Sequence, residues 1–107
     1  KMKFKEIFIL CDMLLENNIP FKLYKLFDGY QIVVTIRKKE ISCIETSYSI
    51  GNENDKLELR NGLKEEELKY YPDSSSLYGC VGNLTAYEVF ERIEYCYKNN
   101  RLSYKEV

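Results

Sequence analysis

Phe27-Asp28-Gly29-Tyr30-Gln31-Ile32-Val33-Val34-Thr35-Ile36-Arg37 is the stretch that decides the fold. Asp-Gly between apolar runs suits the positive φ angles of a type I′ turn, so a tight hairpin centred on Asp28-Gly29 is expected. The strand before it reads Phe21-Lys22-Leu23-Tyr24-Lys25-Leu26. The strand after it, Tyr30 to Arg37, is rich in β-branched residues, which pack well on a pleated surface. The charged Arg37-Lys38-Lys39-Glu40 turns the chain, and Ile41 to Ile50 reads as a third strand. Three antiparallel strands in meander order follow.

Side chains alternate across a sheet, so its two faces separate on paper. Tyr30, Ile32, Val34 and Ile36 share an apolar face, which is expected to carry helices. The opposite face is read as polar, with Gln31, Thr35, Arg37, Glu45 and Ser47. Such a face is either wetted sheet surface or, bordered by tyrosines, a recognition surface.

Outward from the sheet, Phe4, Ile7, Phe8, Cys11, Leu14 and Leu15 recur at spacings of three and four, predicting an amphipathic helix from Lys3 to Glu16. Asn17-Asn18 and Pro20 end it. Ile9, Leu10 and Met13 widen its apolar face, which calls for burial on both sides or contact with a second copy. At the other end, Thr85-Ala86-Tyr87-Glu88 opens a second helix with a capping box, and Asn99-Asn100 closes it. Ala86, Val89, Phe90, Ile93, Cys96 and Tyr97 line its inner side; Glu88, Glu91, Arg92 and Glu94 line the outer. The tail from Arg101 to Val107 is expected to fray. Residues 51–84 carry the least pattern: Leu57-Glu58-Leu59 alternates like a strand, Glu65 to Tyr71 reads as a helical turn, and Leu77 to Val81 as a last short strand. The expected fold is therefore α+β in one domain, residues 1–107: an N-terminal helix, a meander sheet of three to five antiparallel strands, and a C-terminal helix packed on one sheet face. Lys1, ahead of Met2, reads as an addition before the native start.

The chain holds no histidine, which removes the side chain most used for proton transfer and metal binding near neutral pH. Carboxylates cluster only in hydrophilic stretches, and no phosphate loop or nucleophile motif replaces the missing group. No catalytic residue, cofactor or metal is expected, and the chain reads as a non-enzyme. A net charge of −1 argues against general nucleic-acid binding. The longest apolar run, Ile7 to Cys11, is too short to span a bilayer, so no membrane partner is expected. Four cysteines, Cys11, Cys43, Cys80 and Cys96, are spaced too widely for zinc or redox motifs and read as structural thiols of a reduced, cytoplasmic protein.

Candidate contact residues come from three places. Gln31, Arg37 and Glu45 mark the polar sheet face, and Tyr48 leads into the Gly51 loop. Residues 51–84 hold four basic and seven acidic groups, against five and three in residues 21–50, so the block Glu65, Glu66 and Glu67 is either a solvated face or a patch for a basic partner. Tyr70 and Tyr71 stand beside it, and the ten tyrosines favour interfaces because each ring offers rigid contact area with a polar tip.

Phe27-Asp28-Gly29-Tyr30-Gln31-Ile32, Ser47-Tyr48-Ser49-Ile50-Gly51 and Leu84-Thr85-Ala86-Tyr87-Glu88-Val89-Phe90-Glu91-Arg92-Ile93 together resemble small proteins encoded by phages and prophages of low-GC Gram-positive bacteria. The resemblance spans the first helix to about Lys98. It implies a protein that binds a host protein or protein complex and inhibits it, as an anti-defence inhibitor of the anti-CRISPR kind. An oligomeric sponge for a nucleotide immune signal, with Arg37 or Arg60 as its basic group, is a second expectation, and a structural or regulatory subunit a third.

Overall fold

Spacings of three and four put Ile7, Leu10, Cys11 and Leu14 on one stripe, and Lys5–Glu16 forms helix α1 with that stripe buried. The structure, a computed structural model, describes residues 4–70 and 77–105. α1 stops on asparagine: Asn18 takes a left-handed φ of 56°. Its N–H donates to Leu15 O at 3.2 Å and that of Ile19 to Leu14 O at 3.0 Å, a Schellman closure sealed by the buried Ile19. The second helix, α2 (Ala86–Asn99), opens with the expected capping box. Thr85 Oγ1 accepts from Glu88 N at 3.2 Å, and Glu88 Oε1 accepts from Thr85 N at 2.9 Å.

Between the helices run β1 (Lys22–Leu26), β2 (Gly29–Ile36), β3 (Lys39–Glu45), β4 (Leu57–Arg60), β5 (Lys69–Tyr70), β6 (Leu77–Tyr78) and β7 (Cys80–Leu84). Five of them form one antiparallel sheet in the order β1-β2-β3-β4-β7, with β5 and β6 paired separately. The α+β fold with its meander sheet is thus as expected. Both helices pack on the same face, α1 against β2 and β3, α2 against β2 and β4. The core between the layers joins Ile7, Leu10 and Leu14 to Ile32, Val34, Ile41, Leu57, Leu59, Val89 and Ile93. The other sheet face carries no helix of the described residues.

Two turns correct the sequence reading. In the β1–β2 hairpin Leu26 pairs with Gly29, so Phe27-Asp28 is the turn and Phe27 takes the positive φ, 52°. Gly29 is needed for another reason: a Cβ there would stand 1.8 Å from the Glu45 carbonyl oxygen. In the β2–β3 hairpin Ile36 pairs with Lys39, leaving Arg37 and Lys38 at φ 53° and 68°, the signature of a two-residue type I′ turn. That turn is two residues tighter than expected. It sets Ile32 against Cys43 and Val34 against Ile41, so Ile41, Cys43 and Glu45 face the helices. Glu45, expected on the polar face, lies on the core side. The third strand also ends at Glu45 and not at Ile50, because Thr46 and Ser49 hydroxyls take over backbone partners that a ladder would use.

Of the tail expected to fray, residues 101–105 are described, and they make contacts with the rest of the fold. Gly62 N donates to Leu102 O at 2.6 Å, Tyr104 N donates to Leu63 O at 2.9 Å, and the Tyr104 ring stacks on Tyr95 at 4.2 Å. Arg92, read as outward-facing, is buried, since it sits on the flank of α2 that meets Glu67.

Candidate functional site

The turn between β1 and β2 and the turn after β3's end lie side by side, and their tips are the most exposed apolar feature among the described residues. Phe27 and Tyr48 are 73% and 79% exposed, and their rings meet edge to face with centroids 5.8 Å apart. Ile50, also exposed, follows on the same loop. The scaffold beneath is dense in hydrogen bonds. Asp28 Oδ1 accepts from Ser47 N at 3.0 Å, which ties one turn to the other. Thr46 Oγ1 accepts from Tyr48 N at 3.1 Å, Ser49 Oγ accepts from Thr46 N at 3.1 Å, and Glu58 Oε1 accepts from Ile50 N at 2.7 Å. The two rings are therefore mounted on a backbone with little conformational freedom left to lose.

Glu45 supports this site from below. It is 3% exposed, and Oε1 accepts from Ile7 N at 3.0 Å, so the carboxylate performs the N-cap role that Phe4 has no side chain for. Burial pushes its carboxyl pKa up, and the nearby Glu6 and Asp55 push the same way, while the Ile7 amide opposes them. A raised native pKa means that ionisation of Glu45 works against folding: its contribution falls as pH rises through the raised value and levels off below the ordinary carboxyl range. Glu45→Gln keeps an acceptor for Ile7 without the charge. Thermal unfolding should show it at least as stable as the parent at pH 7, by on the order of 0.5 kcal/mol, with the gap closing at acid pH. Clear destabilisation at pH 7 would contradict this assignment. The cavity beside it, about 50 Å³ and lined by Phe4, Glu45, Thr46, Ser47, Asn52 and Asp55, has room for water but not for a nucleotide.

The remaining candidates scatter. Gln31 is on the helix-free sheet face, its Nε2 donating to Ser42 Oγ at 2.9 Å. Arg37 sits in a turn and donates to the Asn100 carbonyl at 3.3 Å, at the C-terminus of α2. The acidic block is split: Glu65 pairs with Lys105 at 3.1 Å, Glu66 is exposed, and Glu67 forms a two-pronged pair with Arg92 at 2.5 and 2.9 Å. Tyr70 lies in β5, and Tyr71 is outside the described residues. Of the sequence candidates only Tyr48 belongs to the aromatic tip. Phe27 and Ile50 were missed, although an aromatic directly before Asp-Gly was the available signal.

Buried thiols offer no reactive nucleophile. Burial pushes Cys96 up to about 11 and raises Cys11 and Cys43 as well. Cys80, by contrast, is exposed on β7, opposite Arg60. Among the described residues no group of His, Cys, Asp and Glu is placed to hold a metal ion, and no helix is long and apolar enough to cross a membrane. No protein-family model matches the chain, and no curated protein or solved structure is significantly similar to it.

Proposed function

We propose that this chain acts by binding, without turnover, and that Phe27 and Tyr48 form the centre of its contact surface. One observation carries this reading: Phe27 is a bulky residue held at φ 52° with its ring in solvent. Left-handed backbone costs a side-chain-bearing residue about 1–2 kcal/mol, and an exposed ring recovers little of it by burial. Asparagine or glycine would close this turn more cheaply, so stability alone does not account for phenylalanine there. A rigid aromatic pair at the centre of a polar rim is the anatomy of a binding hot spot. Gln31 and Ser42 on the adjoining open sheet face extend the surface with hydrogen-bonding groups. The resemblance to phage and prophage proteins supports a bacterial host protein as the target, and inhibition of it as the outcome.

Phe27→Asn and Tyr48→Ser test the reading without endangering the fold, because Asn tolerates the left-handed turn better than Phe. Both should melt at or near the parent temperature. Each should weaken capture of the host protein that the parent recovers from lysate by about 30-fold or more. A partner that binds both variants as tightly as the parent would refute the aromatic centre. If the parent recovered no specific partner, the binding role itself would fall.

A further inference from the structure

Helix α1 has two flanks beside its buried stripe. One carries Glu6, whose Oε1 accepts from Ala86 N at 2.8 Å, so that flank looks toward α2. The other carries Phe8 and Leu15, two helical turns apart, and looks toward the sheet edge. Phe8 packs edge to face on Tyr30 at 4.8 Å, and Tyr30 pairs with Lys25 of edge strand β1. The helix layer stops short of that strand: both helices rest on β2 to β4, and Lys22 to Lys25 are all exposed. Leu23 lies opposite Ile32 and thus on the helix side of β1, yet stays exposed, and Leu15 is 64% exposed. Phe8, Leu15 and Leu23 therefore form an apolar strip that nothing in the described residues covers.

The strip has a basic end and an acidic end. Phe4 and Phe8 both meet Tyr30, which places the first turn of α1, with Lys5, at the same end as Lys25. Asp12 and Glu16 lie toward the other end, and both are exposed. An apolar strip that is positive at one end and negative at the other matches itself when a second copy is turned through a twofold axis. We propose that this strip is the interface of a homodimer in which two copies of α1 run antiparallel. Phe8 of each copy then meets Leu15 of the other, Lys5 meets Glu16, and the β1 edges close beneath them, covering Leu23. The proposal rests on residues separate from the Phe27–Tyr48 tip, and stands or falls independently of it.

Sedimentation velocity across a concentration series tests it. The parent chain should pass from monomer to dimer as concentration rises through the micromolar to sub-millimolar range. Leu15→Gln, polar but helix-compatible, should weaken the dimer about 100-fold, because two copies of the contact are lost. Lys5→Glu and Glu16→Lys each place like charges together and should weaken it about 10-fold, whereas the double exchange should restore it. Both exchanges suit the helix dipole, acid at the N-terminus and base at the C-terminus, so loss of dimer would not reflect loss of the helix. A parent that stays monomeric at millimolar concentration overturns the proposal. So does a dimer indifferent to Leu15→Gln, or a double exchange that fails to recover what the single exchanges lose.

Discussion

Gly29→Ala is expected to be the most damaging single-methyl change in the chain, costing at least about 3 kcal/mol. Gly29 is in extended strand, so its role is not conformational freedom. The new Cβ would stand 1.8 Å from the Glu45 carbonyl oxygen, 2.8 Å from that carbonyl's carbon and 2.9 Å from Thr46 Cα. All three are backbone atoms and no rotamer change relieves them; β2 and β3 must part at this end. Three features lie where they would part: the Glu45 cap on α1, the Asp28–Ser47 hydrogen bond and the Phe27–Tyr48 pair. Gly62→Ala is the internal comparison. There φ is 70° and the nearest atom is Leu59 Cδ2 at 3.3 Å, so the cost is backbone strain plus a side-chain adjustment, about 1–2 kcal/mol. Urea denaturation should rank Gly29→Ala well below Gly62→Ala. Equal midpoints would mean that the two strands are not held this close in solution.

The legible parts of this fold are those encoded by neighbours in sequence. The stripe of α1, the Thr85–Glu88 capping box and the asparagine closures depend on residues within a turn or two of each other, and each is where the residues placed it. The β-branched run from Ile32 to Ile36 likewise marks β2 with its inner face correct. What failed was register. Asp28-Gly29 has the composition of a type I′ turn, but Gly29 is claimed by a close approach to a strand 16 residues later (45 − 29). Arg37-Lys38, with no glycine or asparagine, adopts the turn instead. Glu45 was assigned to solvent because Ile44 was taken as the inward residue of the third strand, whereas the pairing with β2 sets Glu45 opposite Tyr30 on the core side. The site suffered for the same reason. Tyr48 could be chosen as an exposed aromatic, but its partner Phe27 became visible only once the two turns were known to be neighbours. Arg92 and Glu67 are 25 residues apart, and no local pattern announces a buried ion pair over that distance.

That pair supports the second large effect: Glu67→Ala should destabilise the chain by about 2–3 kcal/mol, and Arg92→Met by less. The asymmetry follows from burial. The Arg92 side chain is 7% exposed and the Glu67 side chain 21%. Removing the carboxylate strands a guanidinium that has little access to water, whereas removing the guanidinium leaves a carboxylate with an open side, and Met refills most of the stem volume. Combining the two changes should recover part of the Glu67→Ala loss, because the stranded charge is then gone. Acid pH gives an independent check. The Arg92 hydrogen bonds hold the Glu67 carboxyl below its usual pKa, and amide donation from Thr85 does the same for Glu88. A depressed native pKa contributes stability that is complete above the unfolded carboxylate value, about 4.3, and is lost as pH falls through the native one. The parent should therefore lose stability on acidification faster than Glu67→Ala, and the two unfolding curves should converge. The pair also ties α2 to the turn from Lys64 to Leu68 that leads into the β5–β6 pair, so its loss should speed amide exchange there before it does so in β2 or β3. If Arg92→Met proved the worse lesion, or if the curves stayed parallel down to low pH, the contact would be a surface ornament and not the fastening of that segment.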